Sequence, residues 1–120
     1  MGADIEGAYS EVDVLGQKYK IIFVTKEEMP MADGECDFFA KTIKVRRFLD
    51  ILEGERVENA IKHLNMVLRH EIMHAFFYES GLSEYAYDET LVDWFANQFP
   101  KIAMCSNAFD VHKSAGEQDE

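Results

Sequence analysis

No run of apolar residues in this sequence approaches the ~18 that a helix needs to cross a bilayer, so a membrane-spanning helix is not expected. The opening Met1-Gly2-Ala3-Asp4-Ile5-Glu6 carries early acids and no apolar stretch, which speaks against a secretory signal. Glu6 also stands where a myristoylation pattern wants Ser or Thr. Cysteine is scarce: Cys36 and Cys105 lack C-x-x-C spacing and read as buried free thiols of a cytoplasmic protein, rather than as a disulfide or a metal pair. Positive charge is scarce too. Twelve lysines and arginines stand against 23 aspartates and glutamates, a formal charge of −11. That balance argues against nucleic acid or an anionic membrane as the partner, and it offers a metal cation a favourable field.

What is present suits one folded unit. A chain of 120 residues, 48% hydrophobic, has the length and apolar content for a single domain over 1–120 with one core. Its ends, about residues 1–15 and 113–120, are expected to be poorly ordered, because Gly116-Glu117-Gln118-Asp119-Glu120 and similar polar stretches have nothing to pack. The patterning changes once, near residue 50. Before it, Tyr19 to Thr25 is β-branched and aromatic and reads as a strand. Glu27 to Gly34, with Pro30 and Asp33-Gly34, is turn material, and Glu35 to Ala40 and Lys41 to Arg46 read as the arms of a hairpin. After Phe48 to Leu52 and the interruption at Gly54, a helix is expected over about 55–80, closed by Gly81 as a left-handed cap. A further helix follows Asp88 as N-cap, with Leu91, Phe95, Phe99 and Ile102 as its core face and an end at Pro100. The fold class is therefore α+β, a small antiparallel or mixed sheet packed on the first helix.

That first helix carries His70-Glu71-Ile72-Met73-His74, a complete H-E-x-x-H motif. At about 100° per residue, His70 and His74 return to nearly one face and reach one metal ion from successive turns. Glu71 lies beside the metal, placed to take a proton from water there. Val57, Ile61, Leu64, Leu68, Ile72 and Ala75 fall on the opposite side, while Met66, Val67, Met73 and Phe77 flank the histidines. A helix so apolar is largely buried, and buried histidines with a glutamate need partners, which a metal supplies. The plainer alternative is a set of surface residues or a satisfied core histidine.

A catalytic zinc normally takes three protein ligands. Glu89 and Asp93, four apart on the next helix, provide candidates: Glu89 as third ligand and Asp93 behind it, accepting the other ring N–H of a ligand histidine. Those two could exchange roles, or simply form a solvated helix face. Asp88 is adjacent but capping, and Asp110 and His112 lie in a weakly patterned tail. His63 is two turns too far along the axis and reads as a cleft-edge or surface residue. Phe77 and Ser80 occupy the Gly and His positions of the metzincin extension, which excludes that class.

His70 to His74 followed by Glu89-x-x-x-Asp93 resembles the gluzincin arrangement. The fuller wording, His-Glu-Ile-Met-His-Ala-Phe and then Glu-Thr-Leu-Val-Asp-Trp-Phe-Ala, more closely resembles the ImmA/IrrE-like metallopeptidases and the small zincin proteins of phages and prophages. Gly34-Glu35-Cys36-Asp37 with Ile43-Lys44-Val45 is similar to the strand pair that precedes the active helix there. The likeness covers residues 20–103. It implies a zincin-like domain binding Zn2+ through His70, His74 and Glu89, with Glu71 as the catalytic base. Met73 departs from the Gly many members carry before the second histidine, and the family's helix-turn-helix domain has no counterpart here.

The implied activity is hydrolysis of peptide bonds in an intracellular protein substrate. Tyr78, Tyr85, Tyr87 and His112 are candidates for an additional oxyanion donor. The strand around Ile43 to Val45 is a candidate for binding an extended peptide by strand addition. A zinc-stabilised binding module of the same fold is the alternative, and retention of Glu71 favours the enzyme, since a structural site needs ligands but no base.

Overall fold

The computed structural model describes residues 9–47 and 54–108. The chain opens with two antiparallel strands, β1 (Tyr9–Val14) and β2 (Gln17–Val24), paired from Tyr9 opposite Ile22 to Val14 opposite Gln17. Their two-residue turn, Leu15-Gly16, holds both residues at positive φ, 52° and 91°, the twist a tight hairpin needs. Gly16 N–H donates to Asp13 Oδ1 at 2.7 Å. Leu in that position is rare, so the turn carries little sequence signal. Residues 1–15 were expected to be poorly ordered, but β1 occupies 9–14; residues 1–8 and 113–120 lie outside the described residues.

β3 (Gly34–Asp37) and β4 (Thr42–Arg46) form the expected hairpin, antiparallel with Gly34 opposite Val45. The Asp37 carboxylate accepts the N–H groups of Phe39 and Ala40 and shapes the turn between them. β4 then pairs parallel with β2, giving a mixed sheet in the order β1-β2-β4-β3. The segment before β3 is pinned by Arg46, whose guanidinium donates to the carbonyls of Met29 and Pro30 and to Asp33 Oδ1 at 2.8 Å.

Three helices follow among the described residues: α1 (Glu55–Glu79), the single turn α2 (Ser83–Ala86) and α3 (Glu89–Ala108). Gly81, at φ 90°, ends α1 as expected. Val14, Tyr19, Ile21, Ile43 and Val45 pack against Val67 and Ala75 of α1, with Leu64, Met66, Leu68 and Ile72 at the margins. This is a small compact α+β domain. The core stripe of α1 differs from the expected one: Ile61 is exposed, whereas Val67, Glu71, His74 and Ala75 are buried among the described residues of this helix. The side bearing the motif is turned inward because β3 and α2 close over it.

α3 departs further. It continues through Pro100 to Ala108. Its buried residues are Val92 and Ala96, while Phe99 and Ile102, expected in the core, are half exposed. Cys105 is exposed on its last turns and Cys36 half-buried, so only Cys36 approaches the buried thiol expected. No helix among the described residues is long and apolar enough to cross a membrane.

Candidate metal centre

Helix periodicity brings His70 and His74 together, with rings 4.8 Å apart and their Nε2 atoms separated by 3.2 Å. The second motif arrives from α3. Asp88 caps that helix, its Oδ1 accepting the Leu91 N–H at 3.0 Å, which fixes where the first turn begins. Glu89 Oε1 then stands 2.9 Å from His70 Nε2 and 3.3 Å from His74 Nε2. Three donor atoms thus form a near-equilateral triangle. Zn–N bonds of about 2.0–2.1 Å in a tetrahedral set separate neighbouring donors by about 3.3–3.4 Å. Two imidazoles and a carboxylate at this spacing fit a small divalent cation on both chemistry and distance.

The outer nitrogens are held as well. His74 Nδ1 is 2.5 Å from the carbonyl oxygen of Ala86. A carbonyl only accepts, so Nδ1 carries the proton and Nε2 presents its lone pair to the triangle. His70 Nδ1 lies 3.4 Å from Asp93 Oδ1, which assigns that ring the same orientation. Glu89 and Asp93 therefore stand on different sides of His70, one at Nε2 and one at Nδ1.

Glu71 is buried alongside the triangle and accepts no hydrogen bond from the described residues. Burial, partly offset by His74 and reinforced by Glu89 and Glu35, pushes its carboxyl up to about 7. Its place depends on Gly34: a Cβ there would stand 2.8 Å from Glu71 Oε2 and 2.7 Å from Val67 Cγ1. The sequence marked Gly34 as a turn breaker, yet its φ is not positive and its use is close approach of strand to helix.

These groups line a cleft of about 510 Å³ that runs between β3 and α1. At one end His63 Nε2 meets Asp33 Oδ2 at 3.1 Å, the cleft-edge position expected for His63. At the other, Phe38 stacks on Tyr78 with centroids 4.3 Å apart and meets Tyr87 edge-on at 5.6 Å. Among the tyrosines considered as oxyanion donors, Tyr87 lines the cleft, whereas Tyr78 lies behind Phe38 and Tyr85 packs on Phe77. His112 and Asp110 lie outside the described residues. Cys36 lines the cleft too, its thiol pushed up to about 12 by burial and by the charges of Glu71 and Asp37. The sequence did not single out Cys36, Phe38, Glu35 or the Ala86 carbonyl for this site, and a backbone acceptor leaves no residue-type signal at all.

Strand addition at Ile43 to Val45 does not hold. β4 is paired on both sides, by β2 and β3, so its backbone groups are already used. β3 is the sheet edge beside the cleft.

No protein-family model matches the chain, and neither curated proteins nor solved structures yield a match.

Proposed function

We propose that the protein is a zinc-dependent metallopeptidase of zincin-like fold, acting on peptide bonds of a cytoplasmic protein substrate and related to the small phage and prophage zincins it resembles. The observation that carries this reading is the triangle of His70 Nε2, His74 Nε2 and Glu89 Oε1 with a buried Glu71 beside it that has no hydrogen-bond partner among the described residues. His70, His74 and Glu89 would hold the ion, and Asp93 and the Ala86 carbonyl would keep the rings in register. Zinc, when bound, supplies a Lewis acid that polarises a carbonyl and lowers the pKa of water.

The chain's own groups do the rest. Glu71 accepts the proton of the attacking water and delivers it to the leaving amine nitrogen, so one carboxylate serves both directions of transfer. A carboxyl whose affinity for a proton has been raised by burial is suited to that shuttle. Tyr87, exposed at the cleft wall, would donate its O–H to the oxygen that gains charge. An extended substrate would lie along the free edge of β3.

The test is Glu71→Gln. Folding and zinc content should be retained, while cleavage of host-cell proteins falls by about 10²–10⁴-fold. Identical fragment patterns from wild type and Glu71→Gln would overturn the peptidase and leave a zinc-stabilised binding module.

A further inference from the structure

α3 brings Glu89 to the metal centre on its first turn, but a contact further along the helix sets where that turn lies. The residues buried on α3 are Val92 and Ala96, both small, and Phe95 meets Phe77 of α1 edge-on at 5.6 Å. Apolar contact is non-directional and tolerates a slide along the axis. A metal ligand does not, since it must stand within about 0.2 Å of its place. A hydrogen bond has the direction that apolar packing lacks. Arg69 makes one, donating Nε–H to the carbonyl of Ala96 at 2.8 Å. Ala96 follows Glu89 by seven residues, about 10 Å and nearly two full turns, so the two share one side of α3. That side is tied to neighbouring residues of α1 at both levels, Glu89 Oε1 to His70 Nε2 at 2.9 Å and Ala96 to Arg69. In an uninterrupted helix the N–H of residue 100 would take the Ala96 carbonyl, but Pro100 has none to offer.

We propose that Arg69 is a positioning residue for Glu89, setting the register of α3 on α1, and that Pro100 serves it by leaving the Ala96 carbonyl free. This rests on the reading of His70, His74 and Glu89 as metal ligands. Over two turns a helix slides as a unit, so a shift at Ala96 carries Glu89 with it and opens the triangle. With an N–H at position 100 the carbonyl would be shared between that donor and Arg69, and the tie would loosen. Both residues should therefore act against the ordinary expectation. Removing a cation near a metal site favours the metal electrostatically, yet loss of Arg69 should weaken metal binding. Replacing a proline inside a helix favours the helix, yet loss of Pro100 should weaken metal binding as well.

The experiment uses the full chain, with zinc and cobalt(II) as probes. Chelator competition gives the zinc affinity, visible absorption of the cobalt(II) protein reports the ligand set, and urea unfolding gives the midpoint. The variants are Pro100→Ala, the double variant Arg69→Met with Pro100→Ala, and Glu89→Ala as the reference for a lost carboxylate. Met keeps the aliphatic stem of Arg69 and removes its donor. Pro100→Ala should raise the urea midpoint and lower zinc affinity. The double variant, whose Ala96 carbonyl is met within its own helix, should keep a midpoint at or above that of the wild type. It should nevertheless bind zinc about tenfold more weakly, as loss of a group that orients a ligand does. Its cobalt(II) absorption should move towards that of Glu89→Ala. A double variant with wild-type zinc affinity and cobalt(II) spectrum overturns the inference and leaves the metal centre standing. Pro100→Ala binding zinc as tightly as wild type overturns the role given to Pro100. A wild-type protein that takes up no stoichiometric zinc overturns the metal centre itself, and the inference with it.

Discussion

Arg69 donates its Nε–H to the carbonyl of Ala96 at 2.8 Å, and this is the acceptor that Pro100, lacking an N–H, cannot satisfy. In an α-helix the carbonyl of residue 96 awaits the N–H of residue 100. Proline inside a helix leaves it bare and ordinarily breaks or kinks the element. Here the neighbouring helix supplies the missing donor, and α3 continues for eight residues beyond Pro100. The same bond ties α3, which brings Glu89, to the residue preceding His70.

Arg69 and Pro100 should therefore behave as a coupled pair. Arg69→Ala leaves a buried carbonyl without a donor and should cost about 1–3 kcal/mol in urea unfolding. Pro100→Ala restores the N–H, so in that background Arg69→Ala should cost markedly less. Additive effects in a double-mutant cycle would count against the coupling.

Gly34→Ala should crowd both Val67 and Glu71. Overpacking of this kind costs about 1–3 kcal/mol, read as a lower denaturation midpoint. Zinc stoichiometry should be retained, because the crowded groups are not ligands, while any hydrolysis falls. A variant with unchanged midpoint would show that β3 has room to move.

Zinc binding should separate Glu89 from Asp93. Glu89→Ala removes a donor from the triangle and should abolish stoichiometric zinc after dialysis. Asp93→Asn, which touches the outer nitrogen of His70, should weaken affinity by about 10–100-fold in chelator competition. Full occupancy in Glu89→Ala, checked by elemental analysis, would remove Glu89 from the site.

Stability should fall at both ends of the pH range through one cluster. Tyr19 donates its O–H to Glu79 Oε2 at 2.6 Å, and Lys41 pairs with the same oxygen. Burial works against the Glu79 charge, but the hydrogen bonds from Lys41 and Tyr19 outweigh it and hold this carboxyl below its ordinary 4.5. Its contribution is therefore complete above that value and lost as pH falls through the lower folded one. Tyr19 is raised above 10, by burial first and then by Glu79, so its contribution holds below pH 10 and is lost as pH rises beyond it. Glu79→Gln should flatten the acid side of a stability–pH curve and Tyr19→Phe the alkaline side.

Much of the local structure was legible in the residues. The helical period alone puts His70 and His74 on one side with Glu71 off it, because those relations hold within a single turn. Asp88 as a cap, Gly81 as a terminator and the hairpin around 38–41 follow from equally short-range chemistry. The site was harder. Glu89 and Asp93 are alike in type and spacing, and only the docking of α3 on α1 puts one at Nε2 and the other at Nδ1 of His70.

Sequence by itself determined the α+β class, the long helix, the donor types and the shortage of basic groups, since each is a property of composition or of neighbours a few residues apart. Tertiary structure alone decided the parallel pairing of β2 with β4, the covering of β4 that leaves β3 as the edge, and the burial of Glu71 beneath Gly34. It also decided that Pro100 would be tolerated and that Phe99 and Ile102 would stay half exposed. Each of these depends on a contact between elements distant in the chain, and periodicity says which face of a helix is apolar but not which neighbour will cover it.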